Sequence, residues 1–308
     1  MTAHRVLTGL LVLQCALAAY TWYPRDTGVH REPVVPWEAA SVQKIQLESV
    51  TTRNRGADLE LARDGSGWKL LSEHGFPART APAQELLDRI MGLERARPIT
   101  TDPSLHDKLN VADDNFTRRV TLHRDDGETL ELFAGTASRE RMNLRYAGDD
   151  AVYEIVGLGA WRMSDNPHSY LQVDPFEAPD TLAQLTLTNE HGEIAMQRDD
   201  QGTWTLVTGE PLKSAEVERL AHTLTHIDVS DPVDPSDDPR MDPVVTVQWT
   251  TPEGSTGGYV GARRDDRLLI RVTDSSLPPF LISPVDGQPE LLDTTLDTVL
   301  ESQAPEEP

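Results

Sequence analysis

Arg63-Asp64-Gly65-Ser66-Gly67-Trp68-Lys69-Leu70 returns later in the chain as Arg198-Asp199-Asp200-Gln201-Gly202-Thr203-Trp204-Thr205-Leu206. In both stretches Arg-Asp leads into a glycine-bearing turn, and the chain comes back on Trp and strand-forming residues. Self-similarity at this separation predicts two copies of one folding unit. The flanks agree with it. Leu59-Glu60-Leu61 alternates before the first turn, and Ile194 and Met196 stand at the matching places before the second. Val42, Ile45 and Leu47 predict an earlier strand, matched by Leu185 and Leu187. After the turn, Thr80 is placed as a helix N-cap, with Pro82 in the first helical turn, where its missing N–H is harmless. Ala83, Leu86, Leu87, Ile90 and Leu93 then fall on one helix face. Ser214 takes the cap position in the second copy, and Val217, Leu220, Ala221, Leu224 and Ile227 answer those five residues one for one. From Arg63 and Arg198, through Trp68 and Trp204, to Leu93 and Ile227, the register drifts by no more than two residues.

The second half of each unit is shared more loosely. Val120-Thr121-Leu122, the turn Asp125-Asp126-Gly127 and the strand ending at Gly135 correspond to Val245-Thr246-Val247, Pro252-Glu253-Gly254 and the strand ending at Gly261. Leu144-Arg145-Tyr146 and Val152-Tyr153-Glu154-Ile155 correspond to Leu269-Ile270-Arg271-Val272 and Phe280-Leu281-Ile282. Short connections between strands favour antiparallel pairing. The predicted fold class is therefore α+β: two tandem, strand-rich antiparallel units with one main helix each. The units are placed at 41–165 and 181–302, joined by a linker at 166–180. Pro289 onward, with Leu292, Leu296, Val299 and Leu300, reads as a closing helix of the second unit, and 303–308 as a frayed tail.

Residues 1–23 read as a transmembrane anchor or signal segment. Arg5 precedes an apolar run from Val6 to Trp22, and Tyr20, Trp22 and Tyr23 sit where an interfacial aromatic belt belongs. The run is short for a spanning helix and long for a signal core. Ala16-Leu17-Ala18 offers a cleavage site, but the anchor reading is preferred. Lipidation at Cys15, the one cysteine, is disfavoured because Gln14 stands where the peptidase needs a small residue. Residues 24–40, with Pro33 and Pro36, read as an extended spacer. The positive-inside rule puts the bulk of the chain on the far side of the inner membrane, in the periplasm. A formal charge of -23, with only four lysines, argues against nucleic acid, whose binding surfaces need Lys or Arg to displace counterions.

The N-terminal anchor, the Asp-Gly turn into Trp68, the Leu109-Asn110-Val111-Ala112-Asp113 step, Gly135, Leu144-Arg145-Tyr146 and Val152-Tyr153 together resemble a bacterial family known only as domain of unknown function 4340. The resemblance covers nearly the whole chain after the spacer. It implies anchored envelope proteins with repeated α+β units, which often accompany ABC exporter subunits of the gliding-motility type. Asn110 stands where the family tends to have Gly, and the second unit has Pro235-Ser236-Asp237-Asp238-Pro239 in place of that step. The family has no established catalytic residues, so none is carried over.

Chemistry-bearing clusters are few. His222 and His226 have the spacing of two metal ligands on a helix, yet both lie off the apolar stripe and no Glu follows His222 as a zincin motif requires. A solvated helix face is the favoured reading. Asp228, Asp231, Asp234, Asp237, Asp238 and Asp242 are interrupted by prolines and lack EF-hand spacing, so a charged loop is favoured over a Ca²⁺ site. No G-x-S-x-G elbow is present. Trp68 and Trp204 read as core anchors. One feature recurs in both copies. Arg139, Arg141 and Arg145 follow Gly135, and Arg263, Arg264, Arg267 and Arg271 follow Gly261. Guanidinium groups suit anionic ligands or partners through bidentate bonds, against the plainer reading that they pair with surrounding carboxylates. No catalytic residue, metal or cofactor is expected. The expectation is a non-enzymatic, single-pass inner-membrane protein. Its partners would be the membrane and proteins of an ABC-type export or surface-assembly complex. The alternative is a binding module for an anionic envelope polymer through the Arg hairpins.

Overall fold

The computed structural model describes residues 31–49, 59–174, 179, 181–237, 241–282 and 288–301. The apolar run of 1–23, Cys15, Asp238 and the tail of 303–308 lie outside the described residues. No helix among the described residues is long and apolar enough to cross a membrane.

The strands, in chain order, are β1 (Glu32–Pro33), β2 (Val42–Glu48), β3 (Leu59–Asp64), β4 (Gly67–Leu70), β5 (Phe76–Ala78), β6 (Glu94–Arg95), β7 (Arg118–Arg124), β8 (Thr129–Ser138), β9 (Arg141–Tyr146) and β10 (Val152–Val156). They are followed by β11 (Gln184–Asn189), β12 (Gly192–Arg198), β13 (Trp204–Leu206), β14 (Val229–Pro232), β15 (Val245–Thr250), β16 (Thr256–Arg264), β17 (Arg267–Val272) and β18 (Phe280–Ile282). Two eight-stranded antiparallel sheets result, ordered β10-β9-β8-β7-β2-β3-β4-β5 and β13-β12-β11-β15-β16-β17-β18-β14. Read from the Trp68 strand and from the Trp204 strand, seven consecutive positions carry the same connections; β5 and β14 are the additions. The strand-rich α+β class expected from the hydrophobic alternation is the fold observed.

Alternation sets the faces. Ile45 and Leu47 on β2, Leu59 and Leu61 on β3, and Leu185, Leu187, Ile194 and Met196 on β11 and β12 are buried. The helices Thr80–Met91 and Ser214–Thr225 bury four residues of each predicted stripe, Ala83, Leu86, Leu87 and Ile90 in one and Val217, Leu220, Ala221 and Leu224 in the other, while the fifth, Leu93 or Ile227, is buried just past the helix end and not on it. Thr80 and Ser214 are the first helical residues and not caps. Arg79 and Lys213 hold the cap positions without side-chain cap bonds. Their backbone N–H groups donate instead to Tyr170 O at 2.7 Å, after the short 3-10 turn Pro167–Ser169, and to Val299 O at 2.9 Å, at the end of the helix Leu296–Val299. The closing helix is broken in two, Gln288–Asp293 and Leu296–Val299, because Thr295 is extended (φ -112°, ψ 162°). The end of the segment read as a spacer is packed: Val34 and Val35 are buried, and β1 pairs with β6.

The Leu109–Asp113 step lies across β8 and β9. A Cβ at Gly135 would stand 2.0 Å from Leu109 O, so only glycine permits the approach. Asn143 Nδ2 donates to Leu109 O at 3.2 Å, and Val111, Phe116, Phe133 and Val152 form a small apolar cluster beneath. Asn110 has φ 54°, the left-handed region that Gly and Asn tolerate best, which explains both the resemblance's Gly and its replacement here.

The two sheets share one continuous core. Phe76 and Phe280 meet edge to face across the seam, with ring centroids 6.0 Å apart. Val229 N–H donates to Val173 O at 2.7 Å, and Leu171 bridges the free side of β5 at Ala78. The first part of the predicted linker is thereby spent closing the β5 edge.

Candidate functional site

Six of the seven arginines singled out by their recurrence, all but Arg271, separate into different roles. Arg145 is buried at 4% exposure. Its Nε donates to Val111 O at 2.7 Å, it ion-pairs with Asp113, and it lies 4.7 Å over the Phe133 ring. It therefore holds the 109–113 step against the sheet. Arg141 opens β9 and pairs with Glu154 on β10 at 3.1 Å. Arg263 pairs with Glu190 at 3.3 Å, and Arg267 with Asp231. Arg139, at the tip between β8 and β9, is exposed, and Arg264 is half-buried; neither side chain has an acidic partner among the described residues. Arg264 Nη1 is buried without any hydrogen-bond partner. The structure thus brings Arg263, Arg264 and Arg267 to one hairpin and Arg139 and Arg141 to another, while Arg145 is withdrawn into the fold.

The Asp-rich run is distributed along the seam. Asp231 sits on β14, 3.9 Å from His168 Nε2, and Asp234 lies 3.7 Å from His74 Nδ1. Burial pushes the Asp231 carboxyl up, but hydrogen bonds from Arg267 and Ser230 outweigh it and hold the pKa below the usual range. Asp234 accepts from the backbone N–H and the hydroxyl of Ser236, both at 2.8 Å, and these bonds lower its pKa. Glu73 beside them has its pKa raised by burial, only partly offset by His168 and His74. His74, His168 and Glu73 carry no periodic or motif signal, so sequence reasoning missed them.

His222 and His226 stack at the end of their helix, ring centroids 4.0 Å apart, and His226 Nδ1 lies 2.9 Å from the His222 carbonyl oxygen. They border a hollow of about 280 Å³ with Arg198, Trp204 and Glu218. Among the described residues no group of three or more His, Cys, Asp or Glu side chains gathers as a metal site would need.

A larger groove, about 710 Å³, runs along β10, lined by Arg31, Glu94, Arg97, Ile99, Glu154 and Val156 among others. Ile99 and Val156 are 52% and 62% exposed. The strand edge there is open. Val152 N–H donates to Thr100 O and Ile99 N–H to Val152 O, so the backbone groups of Val152 point away from β9. Two-residue alternation points those of Glu154 and Val156 the same way, and Gly157, of opposite parity, donates back to Glu140 O. The other sheet ends are better closed. Leu171 and Gln172 cover β5, Pro211 and Leu212 cover β13, and Val173 accepts from the start of β14. An edge with unpaired backbone groups is a template for another strand.

No curated protein and no solved structure matches the chain. One family model does, from Trp68 on β4 to residue 243 just before β15, so the match starts on the Trp that follows the first turn and takes in the second Trp turn and its helix. The chain belongs to the family described as Domain of unknown function (DUF4340), which matches residues 68–243.

Proposed function

We propose that this chain is a non-enzymatic accessory protein of the bacterial envelope, anchored in the inner membrane by its N-terminal segment, that docks a partner of an ABC-type export or surface-assembly machine. In this reading two copies of one α+β unit, fused at the seam, form the scaffold; the matching strand orders of the two sheets support the duplication. The observation that carries the docking role is the open β10 edge. Its occupant would be an extended segment of a partner protein, pairing with Glu154 and Val156 as an added strand. An apolar side chain would rest on Ile99 and Val156, and a carboxylate would meet Arg97, which has no acidic partner among the described residues. The envelope location and the exporter association rest on the N-terminal pattern and the family resemblance.

The polymer-binding alternative has less support, because Arg141, Arg145, Arg263 and Arg267 are already paired with carboxylates. The test is affinity purification of the full-length protein from detergent-solubilised membranes. Wild type should bring down ATPase and permease subunits, and Val156→Pro should lose them. Proline there removes an outward N–H while leaving the β9–β10 ladder intact, so thermal stability should be nearly unchanged. Consistent recovery of the protein alone would overturn the reading.

A further inference from the structure

At the seam, the β16–β17 hairpin and the chain after β14 frame an open cleft of about 470 Å³, with His74 entering from the first sheet's side. Its floor is apolar, formed by Pro232, Val233 and Leu281, of which Val233 and Leu281 pack on Leu269. Arg264 lines the wall. The flanking arginines of the same hairpin have found carboxylates, whereas Arg264 keeps a buried Nη1 with no acceptor. Arg264 thus lines the cleft with no acidic partner among the described residues and with hydrogen-bonding capacity unspent, which points to an acceptor that arrives from outside.

The other charges narrow the ligand. Asp231 is matched by Arg267, and Asp234 is held by Ser236 and faces His74. Asp265 and Asp266, exposed at the turn (Asp265 φ 56°), have no basic partner among the described residues. A simple anion reaching Arg264 would pass two unmatched carboxylates of a protein of charge -23, and a simple cation would meet Arg264. We propose that this cleft binds a small zwitterion, its oxyanion on Arg264, its ammonium at Asp265 and Asp266, and its apolar part on the Val233–Leu281 floor. Guanidinium takes carboxylate and phosphate oxygens alike in bidentate fashion, so a free amino acid and a phosphoethanolamine headgroup share the required chemistry. The site uses no residue of the β10 edge and stands or falls apart from the docking reading.

The test is titration calorimetry on the full-length, detergent-solubilised protein with leucine, phosphoethanolamine, acetate and inorganic phosphate. At least one zwitterion should bind saturably, about tenfold tighter than its ammonium-free counterpart. Binding by leucine alone identifies a carboxylate ligand, and by phosphoethanolamine alone a phosphate headgroup. Arg264→Gln should abolish the heat, and Arg264→Lys, which keeps the charge but not the fork, should weaken it about tenfold. Asp265→Asn with Asp266→Asn should bring the zwitterion down to the affinity of the simple anion. The proposal is overturned if neither zwitterion binds, if acetate or phosphate binds as tightly, or if Arg264→Gln binds like wild type with an unchanged melting profile.

Discussion

Trp204 donates its indole N–H to the Glu218 carboxylate at 3.0 Å, and Arg198 reaches the same oxygen at 2.9 Å. The corresponding Trp68, only 2% exposed, has no acceptor for its Nε1, although Arg63 lies over its ring at 4.3 Å as Arg198 lies near Trp204. The helix position that carries Glu218 in one half carries Gln84 in the other, and the Gln84 carboxamide turns to Asp88 at 2.8 Å. A buried donor left unpaired costs about 1–3 kcal/mol. Gln84→Glu is therefore expected to raise the urea midpoint, by supplying an acceptor for Trp68 and a partner for Arg63. Glu218→Ala should lower stability by about 1–3 kcal/mol. Equal midpoints for Gln84→Glu and wild type would show that the two indole environments are not equivalent.

Gly135 and Gly261 occupy corresponding positions inside β8 and β16, past which each strand runs on for three residues, yet they are crowded by different things. At Gly135 the obstacle is backbone, Leu109 O at 2.0 Å and Asn110 O at 2.7 Å from an added Cβ. At Gly261 it is the tips of Val245 and Ile270, at 2.6 and 3.1 Å. Side-chain ends can turn aside and a carbonyl anchored by Asn143 cannot. Gly135→Ala should cost roughly 3 kcal/mol and Gly261→Ala roughly 1 kcal/mol, the two ends of the overpacking range. Parallel thermal melts check the order, and a larger loss at Gly261 would contradict it.

These contrasts bear on what could be read before the fold was known. The Trp turns, the alternation of Leu59 with Leu61 and the helix stripes are local patterns with a period, and the structure keeps them. The cap residues were misplaced by one position because the N–H groups of Arg79 and Lys213 are satisfied by carbonyls distant in sequence, those of Tyr170 and Val299. The Arg recurrence was visible, but whether a guanidinium faces solvent, a carboxylate or a carbonyl is decided by strand order. Arg145 is buried for that reason, and Arg264 stands alone between two paired neighbours. The seam residues Glu73, His74 and His168 come together only through tertiary contact, and the open edge of β10 is a property of the sheet and not of its own sequence.

Glu73 makes the seam sensitive to pH. Burial raises its pKa above the ordinary 4.5. The native state then binds that proton more firmly than the unfolded chain, so stability from this group is full below the ordinary value and lost as pH rises through the native one. Glu73→Gln should therefore be more stable than wild type at pH 7, with the difference closing near pH 4. Asp231 and Asp234 act oppositely, since their lowered pKa values give stability that is present above the ordinary 3.8 and lost on acidification. Urea midpoints of the Glu73 variant at both pH values measure the first effect alone. A gap that widened toward acid would reverse the sign argued here.

Arg145 and Arg141 sit four residues apart on β9 and separate a structural arginine from a surface one. Arg145 gives hydrogen bonds to Val111 O, to Asp149 O at 3.2 Å and to Asp113 from a buried position. Replacing it leaves carbonyls without donors and frees the 109–113 step from the sheet. Asp113 is itself 79% exposed, so the loss comes mainly from the carbonyl bonds and from the packing over Phe133. Arg145→Met should cost about 3 kcal/mol. Arg141 is 58% exposed and its pair with Glu154 is screened by water, so Arg141→Gln should change stability by about 0.5 kcal/mol or less. If Arg145 served instead as an anion-binding group, its removal would leave the melt unchanged and abolish retention on an anionic polymer. Denaturation and retention measured on the same two variants separate the cases.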